Sequence, residues 1–251
     1  MTNRPDGRKA DELRKMHAKV GVIKRADGSA LFQIGDTIAI AAVYGPRELH
    51  PRFLQNPEKA VLRCHYDMAS FSVTERKKPG PSRRSVEISL VTQKALGSVV
   101  DLKLFPNTVI DVFIQIIQAN AGTRCAGITA AAMALAHAGV SMKEMVAAIS
   151  VGKIGDKVVL DLTKEEEDFE SGASDIPVAI TSYDKSVTLL QLDGEVTRKE
   201  LSEALKLALK GCNEIFKIQE KVLKEVYTQQ PFLEKSGVSQ KQPLAASGGK
   251  K

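Results

Sequence analysis

The chain predicts an α+β fold of two strand–helix layers, mixed β-sheets packed with helices. Three observations carry that expectation. Short apolar runs separated by turn signals give way to a helical period, and this order occurs twice along the chain. Aromatic residues are 5% of the total and Trp is absent, so the core must be aliphatic. The 251 residues are 43% hydrophobic and 26% charged, ordinary globular values with ample apolar surface for a real core.

The elements follow in order. Residues 1–17 are polar and basic and read as an arm or loop. "AKVGVIKRADGSALFQIGDTIAIAAVYG" alternates apolar runs with the turn signals Asp27-Gly28 and Gly35-Asp36, a β-meander. Residues 45–60 carry three prolines and no period, so they predict a long loop. A strand over "VLRCHYDMASFSV" and a basic loop, "TERKKPGPSRR", come next. Val86, Leu90, Val91 and Ala95 recur at helical spacing, and Ser82 or Ser85 can cap that helix. The β-branched run 108–118 predicts a buried strand. A small-residue helix over 123–138 follows and ends at Gly139.

The second half begins with a hairpin turning at Gly155-Asp156. An acidic stretch, "TKEEEDFESGASD", precedes a second hairpin over "IPVAITSYDKSVTLLQLDG". Thr197 and Glu200 form a capping box that opens a long amphipathic helix to about Tyr227. The remainder, rich in Ser, Gly, Gln and Lys, is expected to be a disordered tail.

The net charge of +6 leans toward a polyanionic partner. Cys64, Cys125 and Cys212 are too widely spaced for a zinc site or a disulfide framework, and read as reduced thiols. No apolar run approaches the roughly 20 residues of a membrane span. The N-terminus has no signal-peptide core. The expectation is a cytoplasmic protein with no membrane partner.

Three places can carry chemistry. At Gly122-Thr123-Arg124 a buried strand turns into a helix, whose free N–H groups form an anion site. Gly122 lets an anion approach, Thr123 adds a hydroxyl donor, and Arg124 adds a fork for phosphate oxygens. An ordinary glycine turn with a surface arginine explains this turn equally well. Arg83 and Arg84 stand at a helix start after two prolines and can hold backbone phosphates, although a solvated basic loop is the plainer account. Asp161, Asp168 and Asp175 lie among glutamates, where two carboxylates can hold Mg²⁺ or one can serve as a general acid. An acidic solvated loop is again the plainer account of that stretch alone.

Together the three places fit phosphate-dependent cleavage of a phosphodiester. Two like charges about 4 Å apart repel by roughly 4 kcal/mol at an effective dielectric near 20, so cations on both sides are needed.

The segments "RPDGR", "ADGSA", "VYGPRELHPR", "PGPSRRSVEIS", "LFPNTVIDVFIQIIQANAGTR", "ISVGK" and "VTLLQLDG" occur in an order that resembles the RNase PH family, in its archaeal exosome branch. The resemblance spans roughly residues 4–227. It implies the RNase PH fold, related to the second domain of ribosomal protein S5, as a single domain over 1–227 with the tail at 228–251. It implies a 3′→5′ exoribonuclease that uses inorganic phosphate as co-substrate on single-stranded RNA and releases nucleoside diphosphates.

By the same resemblance, Gly122, Thr123 and Arg124 would bind phosphate, and Arg83 and Arg84 would grip RNA. Asp168 and Asp175 would be the catalytic acidic pair and would hold Mg²⁺ or Mn²⁺. Arg52, Gln55 and Arg63 would line a pore entrance and bind RNA. Gly172-Ala173-Ser174-Asp175 departs from the family's Gly-Glu-Ala-Asp, and the stretch before it is longer. Asp175 therefore aligns well, while Asp168 can exchange roles with Glu167 or Asp161. The implied assembly is a hexameric ring alternating with a non-catalytic paralogue, topped by RNA-binding cap subunits. A non-catalytic ring subunit and a homohexameric tRNA-processing enzyme are the alternatives. Retention of the turn, the arginine pair and Asp175 argues against the first of these.

Overall fold

The computed structural model describes residues 4–155, 157–168 and 173–229. Of the expected tail at 228–251, residues 228 and 229 are helical and the rest lies outside the described residues, as does Asp156 of the expected turn. Five strands build the first sheet: β1 (Met16–Val20), β2 (Gly28–Ile34), β3 (Thr37–Glu48), β4 (Val61–Met68) and β5 (Thr108–Gln118). Their order is β1-β2-β3-β5-β4, antiparallel except for the parallel β4–β5 pair. The second sheet runs β7-β6-β8-β9, from β6 (Val146–Ile154), β7 (Lys157–Leu160), β8 (Ala173–Thr181) and β9 (Val187–Leu190). The helices are α1 (Arg83–Gly97), α2 (Thr123–His137), α3 (Lys164–Glu167) and α4 (Arg198–Gln229).

The small-residue helix α2 explains the layering. Twelve of its 15 residues are buried. It packs on β2, β3 and β5 of one sheet and on β6 and β8 of the other. Alanines let both sheets approach the helix closely, and a continuous apolar cluster runs from Phe32 and Ile114 through Met133 to Ile149 and Val178. The amphipathic α4 packs on β6, β7 and β8, so β6 is covered on both faces and buried from Val146 to Gly152. No helix among the described residues is long and apolar enough to cross a membrane.

Two expectations need correction. The loop expected at 45–60 begins later, because β3 continues to Glu48 and pairs Arg47 with Val109 across a register shift after Tyr44. Gly45 and Pro46 occupy that irregularity, where a missing N–H costs no ladder bond. The apolar face expected on α1 holds at Ala95, which is fully buried, and at Val91, which packs on the core, but not at its other two residues. Val86 is 61% exposed and Leu90 50%, while Ser85, Ile88, Thr92 and Leu96 are the buried stripe. The Ser89 hydroxyl accepts from the Tyr66 amide at 2.9 Å, which sets the rotation of α1 against β4.

The N-terminal arm is anchored by charge. Arg4 forks onto Glu166 with two bonds of 2.7 Å through Nε and Nη2, and Nη1 and Nη2 also donate to the carbonyls of Leu160 and Asp161. Arg14 forks onto Asp161 at 2.9 and 2.7 Å, and Arg8 meets the same carboxylate at 3.2 Å. Asp161 is thus a structural residue and is withdrawn from the candidate acidic pair.

Candidate active site

One cleft of about 710 Å³ is lined by Gly122, Thr123, Arg124, Arg84, Asp168 and Asp175, together with Glu167, Lys164 and Ser150. These residues come from five different elements or their ends, and the fold has to bring them together.

The anion turn is held from below. Ala121 and Gly122 are both left-handed, at φ 57° and 63°, a pairing that needs glycine at its second place. No side chain caps α2 at Gly122, so its first-turn N–H groups stay available to an anion. Asn120 fixes the turn to three elements. Its backbone N–H donates to the Thr37 hydroxyl at 2.9 Å, and its carbonyl accepts from Arg14 at 2.5 Å. Its side chain accepts from the Lys164 amide at 3.0 Å and donates to Asp36 at 3.3 Å. The Thr123 hydroxyl is buried and accepts from Tyr66 at 2.9 Å, which leaves its own proton free to donate.

The cations divide. Arg84 lines the cleft beside Arg124, whereas Arg83 is exposed and lies outside it. Arg124 donates to the Gln191 side chain, whose amide donates on to Glu87 of α1 at 3.0 Å. Among the described residues neither Arg84 nor Arg124 has a carboxylate within ion-pair distance. Arg76 and Lys77 bring the basic loop to the same cleft, with Lys77 tied to Asp67 at 2.7 Å. Arg52 and Arg63 stand elsewhere. Arg52 is on an exposed 3₁₀ turn, 3.8 Å from Glu48, and Gln55 bonds the Leu49 carbonyl. Arg63 lies on β4, not on the loop, and forks onto Asp111 at 2.7 and 3.0 Å.

The carboxylates differ as sharply. Burial pushes the Asp175 carboxyl above its ordinary range, against the Ser150 hydroxyl and the charges of Arg124 and Arg84, with Asp193 adding a further upward push. Gly152 stands opposite Asp175 on the β6–β8 ladder. A Cβ there would lie 2.1 Å from Leu162 and 2.5 Å from the Ser174 carbonyl, so the backbone under Asp175 is tightly fixed. Burial also raises Glu167, and the neighbouring Asp175 raises it further. Asp168 is different, being 62% exposed and paired with Lys164 one helical turn back at 2.6 Å. Asp175, more than Asp168, is therefore the carboxylate that raises Glu167 across the cleft, while the charge that raises Asp175 itself is Asp193. Among the described residues no group of three or more His, Cys, Asp or Glu side chains gathers at metal-holding spacing.

Tyr66, Ser150, Gln191 and Asn120 had no role at the level of sequence. Ser150, Gln191 and Asn120 lie inside segments that carry the family resemblance, but a lone Ser, Gln or Asn has no chemistry until its neighbours are known.

The geometry meets the comparisons here. Two family profiles match, described as 3′ exoribonuclease family domain 1 over residues 12–141 and domain 2 over residues 144–211. The chain belongs to the 3′ exoribonuclease family. Exosome complex component Rrp41 of Thermococcus gammatolerans is 56% identical over 224 residues, covering 89% of each chain. The protein of the same name from Methanopyrus kandleri is 51% identical, covering 89% of this chain and 93% of the relative. Among solved structures, Rrp46 of rice (Oryza sativa) matches with a TM-score of 0.77 at 26% identity, over 88% of this chain and 100% of that one. A chain of the Archaeoglobus fulgidus exosome, solved with RNA bound to the active site, matches at 22% identity and a TM-score of 0.72. It covers 86% of this chain and 92% of the other, and at that identity it speaks to the fold.

Proposed function

We propose that this chain is the catalytic subunit of an RNA-degrading exosome ring in the cytoplasm, a 3′→5′ exoribonuclease that cleaves with inorganic phosphate. The observation that carries this reading is the cleft itself. It sets an uncapped helix N-terminus and two arginines with no carboxylate partner among the described residues opposite a carboxylate held above its ordinary pKa.

The chemistry follows from that charge layout. Inorganic phosphate sits on the N–H groups after Gly122, with the Thr123 hydroxyl and the Arg124 fork on its oxygens. Arg84 holds the last phosphodiester of the RNA, and Arg83 meets the backbone outside the cleft. A phosphate oxygen attacks the phosphorus, and the bond from phosphorus to the 3′ oxygen of the preceding nucleotide breaks. The departing oxygen takes a proton, and Asp175 suits the task because burial keeps that proton on it to higher pH. The products are a nucleoside 5′-diphosphate and an RNA one residue shorter. The reverse reaction adds a tail from nucleoside diphosphates.

Carboxylate oxygens are the donors that Mg²⁺ and Mn²⁺ take, and Glu167 and Asp175 line the same cleft, where the charge of Asp175 raises Glu167. Asp175, when ionised, with Glu167 or with Asp168 from the end of α3 would hold the ion, in place of donating a proton. Once bound it would supply positive charge beside the crowded phosphorus. In this reading the chain alternates with a non-catalytic RNase-PH-like paralogue in a hexameric ring beneath RNA-binding cap subunits, and the likeness to exosome components supports it. Arg52 contributes to RNA passage there by surface charge outside the cleft, while Gln55 and Arg63 shape that surface through their bonds to Leu49 and Asp111.

The test supplies single-stranded RNA, phosphate and Mg²⁺ to the purified chain with and without its paralogue, and identifies the mononucleotide released. Nucleoside diphosphates that vanish in phosphate-free buffer are expected. Monophosphates that persist without phosphate would refute the reading.

A further inference from the structure

Among the described residues three other arginines are neutralised where Arg124 is not. Arg4, Arg14 and Arg63 each fork onto a carboxylate at about 2.7 Å. Arg124 instead donates to the side-chain carbonyl of Gln191, just beyond β9. The Gln191 amide donates to Glu87 at 3.0 Å, and its backbone N–H donates to the Pro177 carbonyl at 3.1 Å. Glu87 is on α1, one turn beyond Arg83 and Arg84. The three side chains form a line from α1 across the end of β9 to the start of α2.

The chemistry of that line admits few occupants at its centre. An ionised carboxylate only accepts hydrogen bonds and a guanidinium only donates them. Glu87 therefore takes the NH₂ end of the Gln191 amide and turns its carbonyl end toward Arg124. A carboxylate in the middle would face Glu87 with like charge and would neutralise Arg124. A lysine would face Arg124 with like charge. An amide satisfies both neighbours and adds no charge. Glu87 is thereby held one side chain away from Arg124 and does not pair with it.

We infer that Gln191 is a positioning residue for Arg124, a neutral clamp that fixes the guanidinium while leaving its charge uncompensated for the incoming phosphate. The inference rests on the reading of Gly122–Arg124 as the phosphate site. The clamp also ties the phosphate arginine to α1, which carries Arg84, so the two substrates' cations keep a fixed separation.

The test measures phosphorolysis by the full chain in its active assembly, with phosphate varied at saturating RNA. RNA affinity without phosphate, thermal melting and assembly size are read beside it. Gln191→Ala should raise the phosphate KM about tenfold, the scale of one hydrogen bond to a charged group, and leave RNA affinity within about twofold. Gln191→Glu should raise the phosphate KM further. The double variant Gln191→Glu with Glu87→Gln separates geometry from charge, since the new carboxylate can accept from both neighbours. Its phosphate KM should stay raised. Return of the double variant to the unaltered KM would overturn the neutral clamp and leave only a geometric one. Arg124→Ala is the reference. If it leaves the phosphate KM unchanged, the phosphate site itself is misplaced. If it raises the KM while both single Gln191 variants do not, the clamp alone is wrong.

Discussion

Two clusters of arginine and carboxylate draw their carboxylates from one stretch of the sequence, residues 161–175, and behave in opposite ways. In the arm cluster, Arg4, Arg8 and Arg14 meet Asp161 and Glu166, with side-chain exposures of 6, 10, 8, 1 and 1%. Every guanidinium there faces a carboxylate. In the cleft cluster, Arg84 and Arg124 face Asp175 and Glu167 across open space, and both carboxylates are raised above their ordinary range by burial. The same residue types make a staple in one place and a reaction site in the other. Matched charges leave nothing for a ligand to satisfy, while unmatched charges bordering a cleft are completed by substrate.

The largest expected effect breaks the staple. Asp161→Ala strands Arg14 and Arg8 without their shared partner, and removing one member of a buried pair costs about 3–5 kcal/mol. Chemical denaturation should show that loss, and a change within about 1 kcal/mol would mean that the arm contributes little to stability. Asp175→Asn is next and should act on the other cluster only. Turnover should fall about 100-fold or more, with melting temperature and RNA binding kept. Near-normal phosphorolysis by this variant in intact assemblies would move the active site to another carboxylate.

Smaller effects sharpen the contrast within the acidic stretch. Glu167→Gln should slow turnover by about tenfold or more, as for a group that shares the site with Asp175. Asp168→Asn should change it little, because an exposed pair with Lys164 is worth at most about 1 kcal/mol. The reverse order in parallel rate measurements would restore Asp168 as the partner of Asp175.

The two clusters should also respond oppositely to pH. Burial would raise Glu166, but its bonds to Arg4 and the Thr163 amide outweigh that and hold it below its ordinary 4.5. Its contribution to stability is therefore present above about 4.5 and lost as pH falls through the lower folded value. For Asp175 and Glu167, whose folded values are raised, the contribution is present below the ordinary values and lost as pH rises through the raised ones. Acidification should loosen residues 4–15 before it loosens β8, and hydrogen exchange can follow both segments in one sample. Simultaneous loss would show that the arm has no separate dependence on its carboxylates.

Much of this arrangement was legible in the sequence, for reasons that particular residues make plain. The β-branched run 108–118 is β5 to the residue, and the Thr197–Glu200 capping box precedes α4. Both signals are local. The Gly-Thr-Arg turn at the start of α2 was readable as a strand running into a helix, and the structure leaves that helix start without a side-chain cap. The staple was not readable, since Arg14 and Asp161 are 147 residues apart and each alone looks like surface charge. The face of α1 was only half legible: Ala95 and Val91 are covered, but Val86 and Leu90 are as apolar as Ile88 and Leu96, and only packing against β4 and β9 decides which are covered. Glu167 and Asp168 are adjacent acids, and the direction each takes at the end of a four-residue helix is a property of the folded loop.

The buried position of α2 between the sheets has a temporal consequence. Arg84 and the anion turn precede residue 141, while Ser150, Glu167, Asp175 and Gln191 follow residue 144. A ribosome adding roughly 5–20 residues per second makes the phosphate cradle several seconds before it makes the acid. Through that interval one flank of α2 has no sheet to cover it, and the turn after Gly122 stands without Gln191 and Asp175. The cleft that the cations and carboxylates share exists only once the second sheet has closed over α2.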